Sequence, residues 1–219
     1  MRREDVRSLI GRGLRRLLLP FGVFDLSVVY RKDLSEPLEP FRARIPVEIG
    51  LAAESEIDGM VRSSPYHDPE TLRARLRAGN KCFVARIDGN IVGFNWLAFG
   101  AVRDEYYAIR LEARDAYCMD ARTEEAYRGH AIHTELLYRM LAHARDMGFR
   151  HAYTRVSAMN ISSWKTHLRL GWQEIGTTFL FRPMLPYDVG LFGPTVYPVT
   201  PARRAGTVAD GARAFSGKV

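Results

Sequence analysis

The sequence predicts a mixed α/β fold in which helices cover the faces of one sheet. Short runs rich in β-branched and aromatic residues alternate with helix-like segments between about residues 44 and 185. Within this region, the pair Asp88-Gly89 separates two strand-like runs and is typical of a tight hairpin turn. Farther along, residues 132–147 repeat apolar side chains at helical spacing, and Gly148 ends the pattern.

The predicted elements follow the order β-α-α-β-β-β-α-β-α-β-β. The strand-like segments are residues 45–49, 82–87, 91–99, 116–123, 151–156, 172–177 and 178–182. The helix-like segments are residues 52–62, 69–77, 132–147 and 161–170. The helix at 69–77 has the clearest ends, because Asp68 is a good cap, Pro69 suits the first turn and Gly79 follows the last turn.

Three regions of the chain differ in composition. Residues 1–43 form a basic N-terminal extension, residues 44–186 form the α/β domain, and residues 187–219 are predicted to be extended and then disordered. Residues 6–24 place apolar side chains on one helical stripe and arginines elsewhere. Such a helix can bind an anionic membrane surface. Alternatively, it can pack on the α/β domain and cover an acceptor groove, and the same pattern of side chains fits this role. Residues 28–31 predict an added edge strand.

Composition excludes several classes of protein. The chain has 219 residues, of which 47% are hydrophobic and 11% aromatic, so it is long and apolar enough for a folded core. No apolar run approaches the roughly 20 residues of a transmembrane helix, and no cleavage site follows the short apolar stretch at 17–24. Cys82 and Cys118 have neither disulfide-framework nor metal-site spacing, which predicts buried thiols in a reducing cytoplasm.

The charge of the chain favours anionic partners. The formal net charge is +7 and the pI is about 9.6. A basic protein suits nucleotide phosphates, nucleic acid, an acidic carrier protein or an anionic membrane. Nucleic acid is not the expected partner, because the arginines are dispersed and the tryptophans fall within predicted elements. If the N-terminal helix binds lipid, the protein lies at the inner face of the membrane.

The segment 127–137 lies between a predicted strand and an amphipathic helix, where free backbone N–H groups suit a phosphate. It resembles motif A of the GCN5-related N-acetyltransferase (GNAT) superfamily, R/Q-x-x-G-x-G/A, which holds the pyrophosphate of coenzyme A. Arg128 fills the first position, whereas Ala131 and His133 stand where glycine and glycine or alanine are preferred. The resemblance implies a cofactor-binding turn of Arg128, Gly129, His130, Ala131, Ile132 and His133.

A second segment is similar to motif B of the same superfamily. Its residues are Asn160-x-x-Ser163-x-x-x-His167-x-x-x-Gly171-Trp172. The resemblance implies that Asn160 contacts the pantetheine arm or fixes a strand end, and that Ser163 packs near the thiol. Asn160 is also a good helix cap. The similarity covers about residues 45–182 and implies a GNAT acyltransferase fold with an N-terminal helical extension.

The resemblance implies an acyl-CoA-dependent N-acyltransferase that acetylates a small amine, such as an amino sugar, an amino acid or a polyamine. The cofactor is acetyl-CoA or another acyl-CoA, and no metal is expected, since the chain lacks H-E-x-x-H. The splayed strand of Asp120, Ala121, Arg122 and Thr123 would polarise the thioester carbonyl. Asp120 is the candidate base, unless it is a surface carboxylate. His167 is the candidate general acid, since it stands where the family usually has a tyrosine and an imidazole can donate a proton near neutral pH, unless it is a packed helix residue.

Three other functions stay open at this point. One is a long-chain N-acyltransferase that takes its acyl group from acyl-CoA or from an acyl carrier protein. Another is a basic nucleic-acid-binding module. The third is a non-catalytic coenzyme A-binding protein, which the replaced glycines of motif A would suit. The sequence also leaves a homodimer open.

Overall fold

One mixed sheet organises the computed structural model, which describes residues 3–18, 22–63, 68–103, 107–183, 189–192 and 199–201. The strands are β1 (Gly22–Asp33), β2 (Glu48–Leu51), β3 (Lys81–Ile87), β4 (Asn90–Phe99), β5 (Ala101–Arg103), β6 (Tyr107–Arg110), β7 (Asp115–Thr123), β8 (His151–Ser157), β9 (Gln173–Pro183), β10 (Val189–Phe192) and β11 (Val199–Pro201). The helices are α1 (Arg3–Leu18), α2 (Ile57–Ser63), α3 (Pro69–Arg77), α4 (Ile132–Asp146) and α5 (Ile161–Arg169). Short 3-10 helices precede α2 at Glu54–Glu56 and α4 at Glu125–Tyr127.

The main sheet has eight strands in the order β10-β9-β1-β8-β7-β4-β3-β2. β7 and β8 are parallel, and the other described pairs of this sheet are antiparallel. A second sheet of three strands has the order β11-β6-β5. This result confirms the predicted mixed α/β class.

Helices and the small sheet bury apolar side chains on both faces of the main sheet. On one face, α4 contributes Leu136, Leu137, Met140, Leu141 and Ala144 to a core that also contains Trp164 of α5. On the other face, α2 and α3 pack over β3 and β4, while Val102 and Ile109 of the small sheet pack over β7 and β8. The central strands are therefore buried from both sides, whereas the gap between β7 and β8 described below interrupts the sheet.

The N-terminal strand β1 lies inside the main sheet. It pairs with β8 from Ser27 to Asp33 and with β9 from Gly22 to Arg31. The predicted edge strand at 28–31 is therefore wrong in position, because Val28 and Val29 are fully buried between two neighbouring strands. A β-branched run indicates a strand, but its partners are set by segments more than a hundred residues away.

Three further predictions differ from the structure. The two strands predicted at 172–177 and 178–182 form the single strand β9, which is bent by a bulge opposite Val29 and Tyr30. The helix predicted to reach residue 24 ends at Leu18, and the chain enters β1 at Gly22. Residues 199–201 form a strand against β6, and the disorder predicted for the rest of the tail concerns residues 202–219, which lie outside the described residues.

Other local signals are confirmed. The Asp68 side chain accepts a 2.9 Å hydrogen bond from the Thr71 N–H and caps α3. Asp88 and Gly89 have φ angles of 49° and 76°, as the hairpin turn between β3 and β4 requires. None of the helices in the described ranges is long and apolar enough to cross a membrane.

Candidate active site

β7 and β8 separate at their carboxyl ends. They pair from Asp115 to Cys118, opposite His151 to Thr154. At the last pair, the Thr154 hydroxyl donates a 2.9 Å hydrogen bond to the Cys118 carbonyl. Beyond this point, β7 continues to Thr123 and β8 to Ser157, and the two strands no longer pair with each other. The separation leaves a gap in the middle of the sheet.

The turn before α4 exposes backbone donors beside this gap. Gly129 and Ala131 have φ angles of 87° and 62°, which curl the chain tightly before the first helical turn. The Arg44 N–H donates a 2.8 Å hydrogen bond to the His130 carbonyl and holds the turn in place. Within the described ranges, no acceptor pairs with the N–H groups of Gly129, Ala131, Ile132 and His133. These donors lie at the positive end of the α4 dipole and are suited to bind an anion.

A cavity of about 620 Å³ opens over this turn. Its volume is within the range of about 300–1,000 Å³ that small-molecule sites occupy. Five of its lining residues are basic and none is acidic: Arg44, Arg122, Arg128, Lys165 and Arg169. The site therefore combines free backbone donors with a concentration of positive charge, which suits a ligand with several phosphates.

A second cavity of about 160 Å³ lies in the gap between β7 and β8. Ala121, His133, Asn160 and Ser163 line both cavities, so the two spaces share a wall. Its other polar residues are Asn95, Asp120, Thr154, Arg155, Ser157 and His167. A ligand seated by its anionic end in the larger cavity therefore has a small polar chamber beside it.

Asp120 lies at a bulge in β7. Its φ angle is 59°, and the register between β4 and β7 shifts between Phe94 and Trp96. The bulge brings the carboxylate to Arg75 of α3, whose Nη1 lies 2.5 Å from Asp120 Oδ2. The Asp120 side chain is 22% exposed and the Arg75 side chain is 19% exposed, so the pair is only partly shielded from water. Asp120 therefore lines the smaller cavity while its carboxylate is paired with Arg75.

His167 is buried on α5, and a hydrogen bond fixes which of its ring nitrogens carries the proton. Nδ1 lies 2.7 Å from the Ser163 carbonyl oxygen, which can only accept, so Nδ1 carries the hydrogen and Nε2 carries the lone pair. The ring stacks on Tyr30 and meets the edge of Trp172. Burial, reinforced by the neighbouring His133, lowers the pKa of His167 to about 3. At neutral pH the imidazole therefore has no second proton to give.

His133 stands in the first turn of α4, where the two cavities meet. Its ring centroid is 6.1 Å from that of His167, and burial lowers the pKa of His133 to about 4. The imidazole is therefore neutral at physiological pH and adds no positive charge beside the anion-binding turn. His133 lines both cavities and so forms part of the wall that they share.

The structure brings most of the predicted site residues together. Ten of the eleven predicted cofactor-binding residues line the larger cavity: Ala121, Arg122, Thr123, Arg128, Gly129, Ala131, Ile132, His133, Asn160 and Ser163. His130 lines neither cavity, and its carbonyl accepts a hydrogen bond from the Arg44 N–H. Asp120 and His167 line the smaller one. The Asn160 side chain also accepts a 3.0 Å hydrogen bond from the Ser163 N–H, so it caps α5 as well.

Sequence reasoning missed several lining residues. Lys165 and Arg169 follow Ser162 at helical spacing on α5, and this periodicity could have placed them on the cavity face. Arg44 and Asn95 carry no local signal, because each reaches the site only through the packing of distant segments. Both cysteines are buried as predicted. Burial raises the pKa of Cys118 to about 12, so this lining residue stays a thiol and is not a nucleophile.

No group of three or more His, Cys, Asp or Glu side chains in the described ranges is arranged to hold a metal ion.

Comparison with known proteins identifies the region that supplies the lining residues of both cavities, except Arg44. Residues 51–172 match the model of the acetyltransferase (GNAT) family. No curated protein sequence matches the chain. The fold resembles that of several solved structures at low sequence identity. A protein assigned to the GNAT family from Novosphingobium aromaticivorans is 16% identical, with a TM-score of 0.54 over 73% of this chain and 64% of its own.

Two further structures are similar over a comparable part of the chain. The ribosomal-protein-alanine N-acetyltransferase from Brucella melitensis is 20% identical, with a TM-score of 0.52 over 68% of this chain and 98% of its own. A GCN5-related glucosamine N-acetyltransferase region of a fungal multi-domain β-N-acetylglucosaminidase is 14% identical, with a TM-score of 0.56 over 78% of this chain and 22% of that protein. At these identities, the likeness establishes a shared fold.

Proposed function

The chain belongs to the GNAT family of acetyltransferases, and we propose that it transfers an acetyl group from acetyl-CoA to the amine of a small-molecule acceptor. The larger cavity is the observation that carries this proposal. Its five basic side chains and the free N–H groups of the turn before α4 suit the phosphates of coenzyme A. Arg128 is held over this turn by a 3.3 Å hydrogen bond from its Nε to the Thr123 carbonyl.

The smaller cavity supports a short acyl group. Its volume of about 160 Å³ is well below the range of about 300–1,000 Å³ that accommodates larger ligands. An acetyl group and an amine nitrogen need little space, whereas a long acyl chain needs a continuous apolar tunnel. The lining of this cavity is largely polar, with Asn95, Asp120 and Arg155 among its residues. The cavity therefore favours acetyl transfer over transfer of a long chain.

Acyl transfer requires that the amine nitrogen bonds to the thioester carbonyl carbon, that the carbon–sulfur bond breaks, and that the nitrogen loses a proton. We assign the last of these tasks to Asp120, which reaches the smaller cavity from the bulge in β7. The strand segment from Asp120 to Thr123 would polarise the carbonyl through a backbone N–H. Arg75 would hold the Asp120 carboxylate in place.

His167 is assigned a positioning role. Its only ring proton is held by the Ser163 carbonyl, and its pKa of about 3 leaves it neutral. The thiolate that departs would therefore take its proton from water or stay ionised. By its stacking on Tyr30 and its contact with Trp172, His167 fixes α5 and so the position of Asn160 and Ser163.

Two measurements on the full chain test the proposed function. Calorimetric titration with acetyl-CoA should show saturable binding, and free-thiol release should rise with one or more members of a panel of amino sugars, amino acids and polyamines. Hydrolysis in the absence of amine is subtracted. Failure to bind acetyl-CoA at millimolar concentration would overturn the proposal. Binding without turnover of any amine would identify a coenzyme A-binding protein instead.

We further propose that α1 attaches the protein to anionic membranes. The helix packs on the sheet through small residues: Ser8 is fully buried, and a Cβ at Gly11 would lie 3.6 Å from Leu26 and 3.8 Å from Ala158. Its larger side chains face outward, since Leu9, Ile10 and Leu17 are 58%, 52% and 64% exposed, respectively.

Arg12, Arg15 and Arg16 are also exposed on α1. Exposed apolar side chains beside arginines match the chemistry of an anionic bilayer surface. Sedimentation with phosphatidylserine-containing vesicles should therefore deplete the full chain, and Leu17→Glu should abolish this depletion. Met147→Glu is the matched control, because Met147 is 46% exposed at the end of α4, on another helix. Equal sedimentation of the two variants, or none by the wild type, would exclude the membrane role.

A further inference from the structure

Segment 41–44, which precedes β2, contributes to the larger cavity from outside the region that matches the family. Ala43 packs against the core that α4 covers, whereas Arg42 and Arg44 on either side of it are exposed. Arg44 lines the larger cavity. The other lining residues all lie within residues 51–172, which match the acetyltransferase model. The chain therefore adds one cation to this site from a segment before the matched region.

The segment touches the two elements that supply most of the cavity's lining. The guanidinium carbon of Arg169 on α5 lies 5.7 Å from the ring centre of Phe41. At the other end of the segment, the Arg44 N–H donates a 2.8 Å hydrogen bond to the His130 carbonyl, and Arg44 Nη1 lies 3.5 Å from the Gly129 carbonyl oxygen. The Arg44 guanidinium is thereby placed at the turn before α4.

A buried carboxylate on α4 holds the middle of the segment. The Glu135 side chain is 3% exposed. Its Oε2 accepts a 2.7 Å hydrogen bond from the Ala43 N–H, and its Oε1 lies 3.2 Å from Arg42 Nη1. Arg139, one turn farther along α4, pairs with the same Oε1 at 3.2 Å. Burial of a carboxylate is costly unless such partners offset it, and two of these three partners belong to segment 41–44.

These contacts link Glu135 to the place where an anion would bind. The turn before α4 carries free N–H groups, and the Arg44 guanidinium adds a positive charge beside them. We propose, on the basis of the proposed function, that Glu135 is a positioning residue of the larger cavity: it holds segment 41–44 on α4, so that Arg44 binds a phosphate of coenzyme A. Because Arg42 and Arg139 pair with Glu135, its own charge is neutralised and does not repel the ligand.

Calorimetric titration of coenzyme A into the full-length Glu135→Leu, Arg44→Ala and double variants tests the inference. Loss of a negative charge by itself would favour an anion, so a rise in Kd for Glu135→Leu reports the lost position of Arg44. We expect each single variant to raise Kd about fivefold and the double variant to raise it little further. The KM for the amine should stay unchanged. An unchanged Kd in Glu135→Leu, or multiplied effects in the double variant, would overturn the inference while leaving acetyl transfer intact.

Arg42→Ala and Arg139→Ala form a matched pair that also serves if Glu135→Leu does not fold. Both remove a positive charge 3.2 Å from the same carboxylate oxygen, and neither residue lines the larger cavity. Only Arg42 belongs to segment 41–44, so Arg42→Ala should raise the Kd for coenzyme A about twofold while Arg139→Ala stays at the wild-type value. Equal Kd values for the two variants would overturn the inference alone. A wild type that binds no coenzyme A would overturn the proposed function together with the inference.

Discussion

Arg75 of α3 and Asp120 of β7 form an ion pair of 2.5 Å at the edge of the smaller cavity. Cation–π contact also places the Arg75 guanidinium 5.4 Å from the ring centre of Trp96. Arg75 is thereby fixed from two sides, and the Asp120 carboxylate is held on the face of the sheet that α3 covers. This relationship makes the carboxylate a positioned group of the site rather than a side chain on an open strand.

Asp120→Asn should reduce turnover without changing acetyl-CoA affinity. The amide keeps the shape of the carboxylate but cannot accept a proton, so we expect kcat to fall by about 10²–10⁴. Steady-state kinetics with the best amine, combined with calorimetric titration of acetyl-CoA, measures both quantities. Asp58→Asn is the control, since Asp58 forms a comparable ion pair with Arg73 on the surface. Near-wild-type kcat between pH 6 and 9 would assign deprotonation to solvent.

Arg128→Ala should weaken the binding of coenzyme A. Arg128 lines the larger cavity beside the turn before α4, and loss of a charge-assisted contact to a phosphate costs about 1–3 kcal/mol, or roughly 5- to 150-fold in Kd. Arg145→Ala removes an equal charge at the opposite end of α4, where Arg145 pairs with Asp146. Isothermal titration at two salt concentrations measures both variants. Equal effects of the two substitutions would mean that only net charge matters.

His167 should make the fold sensitive to acid below pH 6.5. Its pKa is about 3 in the folded protein and about 6.5 in an unfolded chain, so below pH 6.5 the unfolded state binds the extra proton. The contribution of neutral His167 to the free energy of unfolding is fully present above pH 6.5 and is lost as the pH falls towards 3. The expected slope is at most about 1.4 kcal/mol per pH unit.

Urea unfolding of the wild type and of His167→Phe at pH 7.5, 6 and 5 measures this contribution. Phenylalanine keeps an aromatic ring against Tyr30 and Trp172 but does not titrate. The free energy of unfolding of the variant should therefore decline less steeply. Parallel curves for the two proteins would show that His167 is not responsible. Retention of most turnover by His167→Phe would agree with its positioning role.

Removal of residues 1–21 should leave a folded protein, whereas removal of residues 1–43 should not. The shorter deletion takes away α1 and uncovers Ala158 and Met159, which should lower the Tm moderately. The longer one removes β1 and leaves the facing edges of β8 and β9 without partners in the middle of the sheet. Circular dichroism and thermal unfolding distinguish the two. A cooperative transition in the longer deletion would contradict the central role of β1.

Local patterns predicted the parts of this molecule that depend on neighbours in sequence. The apolar stripe of α4, the Asp68 cap and the Asp88-Gly89 turn each have a cause within a few residues, and all are present. The turn before α4 belongs to the same group, because a strand, a tight turn and a helix N-terminus suffice to form it.

Features that depend on strand order could not be predicted from the sequence. The run 28–31 indicates a strand but not its partners, which lie at Thr154–Ser157 and Glu174–Thr177. Likewise, the bulge that turns Asp120 towards Arg75 appears only when β4 and β7 are paired. Ala131 adopts a left-handed conformation at a position where glycine would be less strained by about 1 kcal/mol or more. The sequence shows the alanine but not the angle.

The central position of β1 also sets the order in which the protein can be completed. Asp25 on this strand pairs with Arg155 across 130 residues, at a distance of 2.6 Å between Oδ2 and Nη1. The ribosome makes β1 more than a hundred residues before either of its partners, β8 and β9. β1 therefore remains unpaired, exposed or shielded by other factors, until β8 and β9 have been made. Contacts of such long range slow folding, and β1 can complete its pairing only after β9 has been made.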